Sequence, residues 1–322
     1  MDKNSNDPSG DDEEEGSNYA NKENVYSIDI GSSYSKFTTR RGPAAAELLQ
    51  NSGGQRHVPS FLLKDINTDN SVVGQLAYQS RFSKSRDVLS HSHFLKLILK
   101  EGSGADFTQN GYVAFQTSMY NELLGMAKAK FPSNDKSVSV ASVPNFFTAS
   151  HQQEIEKTLN GIGFSCFASV PDGISALLGA IHTNQIPDAA DGHYLVIDWG
   201  GNLLQVSIVE YSRTTGKSKI IAHSSELHDG GGDLATDLLV KDLSDQFRKE
   251  VGVDVSTDSL SLQRLYEASD AAVARMPSLH ILCEKSIKKS LSEAKMDFNF
   301  KNIIRCKEPE DMIAIGASYY EK

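Results

Sequence analysis

Apolar and polar positions first alternate in Val25-Tyr26-Ser27-Ile28-Asp29-Ile30, break at Gly31-Ser32-Ser33 and resume from Tyr34 to Thr39, which predicts strand, glycine turn, strand. Residues 58–73 read as short strands and loops. Helical spacing follows at 75–83 and, more strongly, at 116–131, where Met119, Leu123, Leu124 and Ala127 form one stripe. A buried strand at 138–143 ends at Pro144-Asn145. Ser150 with Gln153 has capping-box spacing and opens a helix carrying Ile155, Leu159 and Ile162, stopped by Gly161 and Gly163. Residues 164–170 form another strand, and Pro171-Asp172-Gly173 leads into an apolar helix at 174–181. The order strand, helix, strand, helix implies an α/β fold with a parallel sheet.

The opening pattern then recurs. Residues 194–198 are a buried strand, Trp199-Gly200-Gly201-Asn202 is a turn, and 203–211 alternate as the return strand. Asp29 and Asp198 stand 169 positions apart in matched contexts, each at the end of an apolar strand with glycine two residues later. Such internal duplication predicts two similar lobes. A turn at Thr214-Thr215-Gly216-Lys217 follows, and Gly230-Gly231-Gly232 opens a helix over 233–247 with Leu234, Leu238, Leu239 and Leu243 facing inward. Helices are expected at 258–276 and 278–296. A terminal one starts at Glu308-Pro309-Glu310, because proline suits a first helical turn. The expected division is a tail at 1–24, a first lobe at 25–182 and a shortened second lobe at 183–322, with no substrate-binding domain after it.

Charge sharpens the first boundary. Residues 1–24 hold eight acids and two lysines, a net −6 of the chain's −10, so the rest carries only −4. The tail has no apolar periodicity and reads as disordered. The folded part has no basic face for nucleic acid and no apolar run near the ~18–20 residues of a membrane span. Three scattered cysteines, Cys166, Cys283 and Cys306, read as reduced thiols in a cytoplasmic protein.

The chemistry lies in the turns. A carboxylate ending a buried strand points into a cleft, and the glycine after it lets backbone N–H groups approach a phosphate closely. Two such hairpins facing one another would clasp a phosphate chain through Gly31, Ser32, Ser33, Gly200 and Gly201. Asp29 and Asp198 would hold Mg²⁺ through water, and the helix start at Gly230, Gly231 and Gly232 adds an anion site. Gly216-Lys217-Ser218 is no P-loop, since Tyr211 stands where the pattern needs glycine and a strand follows. His91-x-His93 lacks a further ligand and reads as a surface polar pair. Lys96, alone in an apolar segment, reads as a helix lysine whose stem lies along the core.

These residues carry a family resemblance. Ile28-Asp29-Ile30-Gly31-Ser32-Ser33-Tyr34-Ser35 resembles the first phosphate loop of the 70-kDa heat-shock proteins, within the actin-like ATPase superfamily. Val143-Pro144 and 164–179 resemble the connecting segment. Asp198-Trp199-Gly200-Gly201 resembles the second phosphate loop, Gly230-Gly231-Gly232-Asp233 the next glycine motif, and Glu308 through Ala317 the close of the ATPase domain. The resemblance implies a two-lobed actin-like ATPase fold, ATP and Mg²⁺ as ligands, and Lys96 as the lysine that orients the γ-phosphate and attacking water. It is closest in style to divergent, ribosome-associated, Ssz-like members, which implies a J-domain or ribosome-associated partner.

Departures from that pattern shape the expected activity. Val170 stands where an acid should precede Pro171. Gln205 and Leu203 replace the second acid and the hydroxyl residue of the second phosphate hairpin. The adenosine-facing helix reads Asp270, Val273, Ala274, without its basic pair, and no Gly-Gly-Ser strand separates Met296 from Phe298. Each lost positioning acid costs on the order of 10²–10⁴ in rate. The expectation is therefore a chaperone or co-chaperone that binds ATP and hydrolyses it weakly or not at all. The alternatives are an interaction module without nucleotide, an ATPase with relocated acids and, more distantly, a sugar kinase.

Overall fold

The computed structural model describes residues 24–64, 71–83, 87–101, 111–130, 137–224, 231–274, 304 and 306–320. Most of the acidic tail, the helix expected at 278–296 and Gly230 lie outside them.

The first lobe opens with β1 (Asn24–Ile30), β2 (Tyr34–Arg40), β3 (Glu47–Leu48), β4 (His57–Pro59), β5 (Phe61–Lys64) and β6 (Ser71–Val73). It continues through α1 (Gln75–Gln79), β7 (Asp87–Ser90), α2 (His91–Glu101) and α3 (Tyr112–Lys130). It closes with β8 (Ser137–Val143), α4 (Ala149–Gly161), β9 (Cys166–Pro171) and α5 (Asp172–His182). Its main sheet runs β3-β2-β1-β8-β9, with β4 also on β2. The β1–β2 pair is antiparallel, whereas β1–β8 and β8–β9 are parallel, as the strand–helix alternation predicts. The second lobe holds β10 (Gly192–Trp199), β11 (Leu204–Tyr211), β12 (Ser218–His223), α6 (Gly232–Val251) and α7 (Ser259–Ala274). Its described sheet, β10-β11-β12, is antiparallel throughout.

Two cores flank the first sheet. On one face Ile28, Phe37, Phe115, Met119, Leu123 and Leu159 pack together. On the other, α5 contributes Ile174, Leu177 and Leu178 to a cluster that also takes Val209 and Tyr211 from β11. The second core therefore joins the lobes, because burying one apolar face of α5 requires both sheets.

Several expectations are corrected. The capping box of α4 is Thr148 with His151, not Ser150 with Gln153: the Thr148 hydroxyl accepts the His151 N–H, and the His151 ring accepts the Thr148 N–H. In α6, Leu234, Leu238 and Leu243 are exposed, while Thr236 and Val240 are buried. The helix finds its packing partner, α7, away from the leucine stripe. The terminal segment starts as a tight 3-10 turn at Pro309–Asp311 and continues as α8 (Met312–Ala317). Although last in sequence, α8 packs on α5 and on the first sheet, where Thr38 and Arg40 of β2 donate to the Ala314 and Ser318 carbonyls. The α5–α8 approach needs glycine on both helices: a Cβ at Gly179 would lie 2.1 Å from the Met312 oxygen, and one at Gly316 would lie 1.7 Å from the Ser175 oxygen.

Candidate functional site

The two duplicated hairpins meet between the lobes. In the first, the turn is so tight that a Cβ on Gly31 would stand 2.6 Å from the Tyr34 oxygen. In the second, Gly200 N–H donates to the Leu203 carbonyl at 2.9 Å. Cross-strand register places Lys36 opposite Asp29 and Gln205 opposite Asp198. Both partners lie seven residues after their aspartate, so the duplication extends to the residue facing each acid.

Those partners build the site's electrostatics. Lys36 Nζ donates to Asp29 Oδ2 at 3.1 Å, and Ser142 Oγ donates to Asp29 Oδ1 at 3.2 Å. Gln205 Nε2 donates both to Asp198 Oδ2 at 3.1 Å and to Asp172 Oδ2 at 2.8 Å. Its Oε1 accepts the Asn145 N–H at 2.8 Å, and Asn145 Oδ1 accepts the Gly173 N–H at 2.9 Å. One amide from the second lobe thus bridges two carboxylates and ties into the first lobe. Burial pulls the Lys36 ammonium down, but the charge and hydrogen bond of Asp29, with Asp311 and Asp198 beyond, outweigh it and hold Lys36 above its ordinary value. Burial, then the charges of Asp198 and Asp29, push Asp172 well up. Burial, aided by Asp29 against the Gln205 hydrogen bond, pushes Asp198 up to about 6.

Asp198 therefore opposes folding at neutral pH. With its folded value above the unfolded one, its stability contribution is full below the unfolded value near 3.8 and is lost as pH rises through about 6. Asp198→Asn keeps an acceptor for Gln205 and removes the titration. It should match the wild type near pH 4 and be more stable by about 2–3 kcal/mol at pH 7, read from urea midpoints at both pH values.

Two residues of this cluster, Lys36 and Asp172, were not foreseen as site residues, and Gln205 was expected only as the replacement of an acid in the second phosphate hairpin. Lys36 had a sequence signal, a lone cation seven residues past the first aspartate as Gln205 is past the second. Asp172 had the weaker one of an acid between proline and a helix. Lys96 lies on the exposed side of α2, whose Phe94, Leu95 and Ile98 are the buried positions, and the lysine whose charge acts on Asp198 and Asp172 is Lys36. His91 is likewise no surface residue. It is buried, with both ring nitrogens hydrogen-bonded, and burial pulls it down to about 4. His93 is exposed, so the pair does not form a chelate.

The glycine turns touch each other directly. Asn202 N–H donates to Ser32 Oγ at 2.9 Å, and Ser33 Oγ donates to Asp233 Oδ1 at 2.7 Å. The Asn202 side-chain amide also donates to Asp233. A Cβ on Gly201 would stand 1.7 Å from Ser33 Oγ, and one on Gly231 would stand 2.0 Å from the Gly201 oxygen. At the start of α6 the N–H groups of Gly232 and Asp233 donate to the Gly200 and Gly201 carbonyls at 3.0 and 2.8 Å. The anion site expected there is thus partly spent on the second hairpin. A phosphate entering between the turns would exchange the Ser32 and Ser33 bonds for its own. For the metal, the donors are hard carboxylate oxygens, which suit Mg²⁺ held through water. No group of three or more His, Cys, Asp or Glu among the described residues is arranged to bind an ion directly.

Duplicated aspartate-ended hairpins on two α/β lobes, joined by a shared helix core, define a two-lobed actin-like ATPase fold. The family model described as Hsp70 protein matches residues 115–306, more than half of the chain. The chain belongs to the Hsp70 family, and membership supports a chaperone-type nucleotide-binding role with ATP as the nucleotide. No helix among the described residues is long and apolar enough to cross a membrane.

Proposed function

We propose that this chain binds Mg-ATP between the two hairpins and hydrolyses it slowly or not at all, acting in the cytoplasm as a divergent, Ssz-like chaperone or co-chaperone. The observation that carries the reading is the cluster of buried Asp29 and Asp172 with half-buried Asp198, brought together across the lobes with Lys36 and Gln205. Asp29 and Asp198 would hold the hydrated metal. Ser32, Ser33, Gly31, Gly200 and Gly201 would offer donors and close approach to the phosphates, with Gly231 and Gly232 at the helix start behind them. When bound, the metal would supply charge neutralisation at the transferring phosphate. Slow turnover follows from Gln205, whose amide is committed to two carboxylates and cannot take a proton from water. A J-domain protein or a ribosome-associated protein is the proposed partner, and neither nucleic acid nor membrane is.

Calorimetry with Mg-ATP tests this. The wild type should bind, Asp198→Ala should weaken binding at least about tenfold, and phosphate release should stay near background. Absence of wild-type binding at millimolar Mg-ATP would leave a fold-retaining interaction module. A second reading, an ATPase with relocated acids, is favoured by Asp172, which stands two positions after Val170, where the resemblance calls for an acid, and reaches the cluster through Gln205. Brisk release that Asp172→Asn removes would establish it.

A further inference from the structure

His91 opens α2 at 1% exposure, and the functional reading above leaves it without a role. Its Nδ1 lies 2.9 Å from the Gly31 carbonyl oxygen and its Nε2 lies 2.8 Å from the Tyr112 hydroxyl. A carbonyl oxygen can only accept, so Nδ1 carries the proton and Nε2 accepts from Tyr112. The ring lies parallel to those of Tyr112, at 5.5 Å and 7°, and Phe115, at 5.4 Å and 5°, so its plane is set by the core. Gly31 is the first residue of the first glycine turn, and its own geometry is already constrained by the Tyr34 oxygen.

The consequence follows from the peptide bond. In a planar trans unit the carbonyl of one residue and the N–H of the next point in opposite directions, and the described chain has no cis peptide bond. A Gly31 carbonyl drawn into the first core by His91 turns the Ser32 N–H away from that core. The Ser32 side chain already meets the second hairpin, through Asn202.

We propose that His91 is a positioning residue of the first phosphate hairpin: it anchors the Gly31 carbonyl so that the Ser32 amide is presented to an anion between the lobes. This rests on the Mg-ATP reading for the identity of the anion, but the anchoring has its own readout. His91→Asn keeps a side-chain N–H near Nδ1, His91→Leu removes it, and His91→Gln reaches toward Tyr112 rather than Gly31. All three disturb packing, so loss of packing alone would affect them alike.

The test measures Mg-ATP affinity by calorimetry and, without nucleotide, hydrogen exchange of the Ser32 amide by NMR. His91→Leu and His91→Gln should weaken Mg-ATP about tenfold, the scale of one lost hydrogen bond, and speed Ser32 exchange. His91→Asn should stay within about threefold on both. If His91→Leu does not fold, His91→Gln against His91→Asn makes the same comparison. Equal affinities for the three variants, or the same order without any change in Ser32 exchange, would overturn the proposal. If the wild type binds no Mg-ATP, the nucleotide reading falls, and the exchange order alone sustains or overturns the anchoring.

Discussion

Gly316→Ala should destabilise the protein by about 3 kcal/mol or more in urea titrations, beyond the usual range for one added methyl group. The added carbon would stand 1.7 Å from the Ser175 oxygen, 2.4 Å from the Gly179 nitrogen and 2.7 Å from the Ser175 carbonyl carbon. All three are backbone atoms of α5. None can swing aside as a side-chain tip would, so the two helices must part. Parting them also disturbs Ile174, Leu177 and Leu178, which join the lobes. Gly125→Ala is the control. It lies within α3 with no atom within 4 Å of the added carbon, so the usual helical gain of about 0.5–1 kcal/mol should appear. Equal effects at the two sites would show that α5 and α8 do not cross at the described distance.

Lys36→Met should cost about 3–5 kcal/mol, the range for removing one member of a buried ion pair. Asp29 would keep Ser142 as a donor but lose the cation 3.1 Å away, with Asp172 and Asp198 still nearby. Adding Asp29→Asn to Lys36→Met should recover most of the loss, because the carboxylate that needed the cation is then neutral. The readout is stability by chemical denaturation without nucleotide, so it is independent of whether ATP binds. A double variant no more stable than Lys36→Met would mean that packing of the lysine stem, rather than charge, holds this part of the sheet.

Local periodicity carried much of the fold. The duplicated hairpins, the parallel β8–β9 pair and the inward face of α3 all follow from apolar spacing, because each element buries its own stripe. The aspartates and glycines of the candidate site were legible for the same reason, since strand ends and turns leave local marks. Their partners were not. Which cation serves Asp29 depends on cross-strand register, which alternation along β2 does not mark, so Lys36 looks ordinary in the sequence. Asp172 reads as a helix-start acid until Gln205 arrives from another lobe. The leucines of α6 misled because periodicity reports an amphipathic face without saying which neighbour covers it.

The placement of α8 bears on how the chain comes to be folded. Thr38 of β2 donates to Ala314 across a separation of 276 residues, and Arg40 to Ser318 across 278. The first sheet is therefore completed by a segment synthesised some 276 residues after β2. Until then β2 holds buried hydroxyl and guanidinium groups without these acceptors, and α5 keeps a bare groove at Gly179. Contacts of such separation slow folding, and domains otherwise assemble in order of emergence. Here β2 must wait for a segment made some 276 residues later.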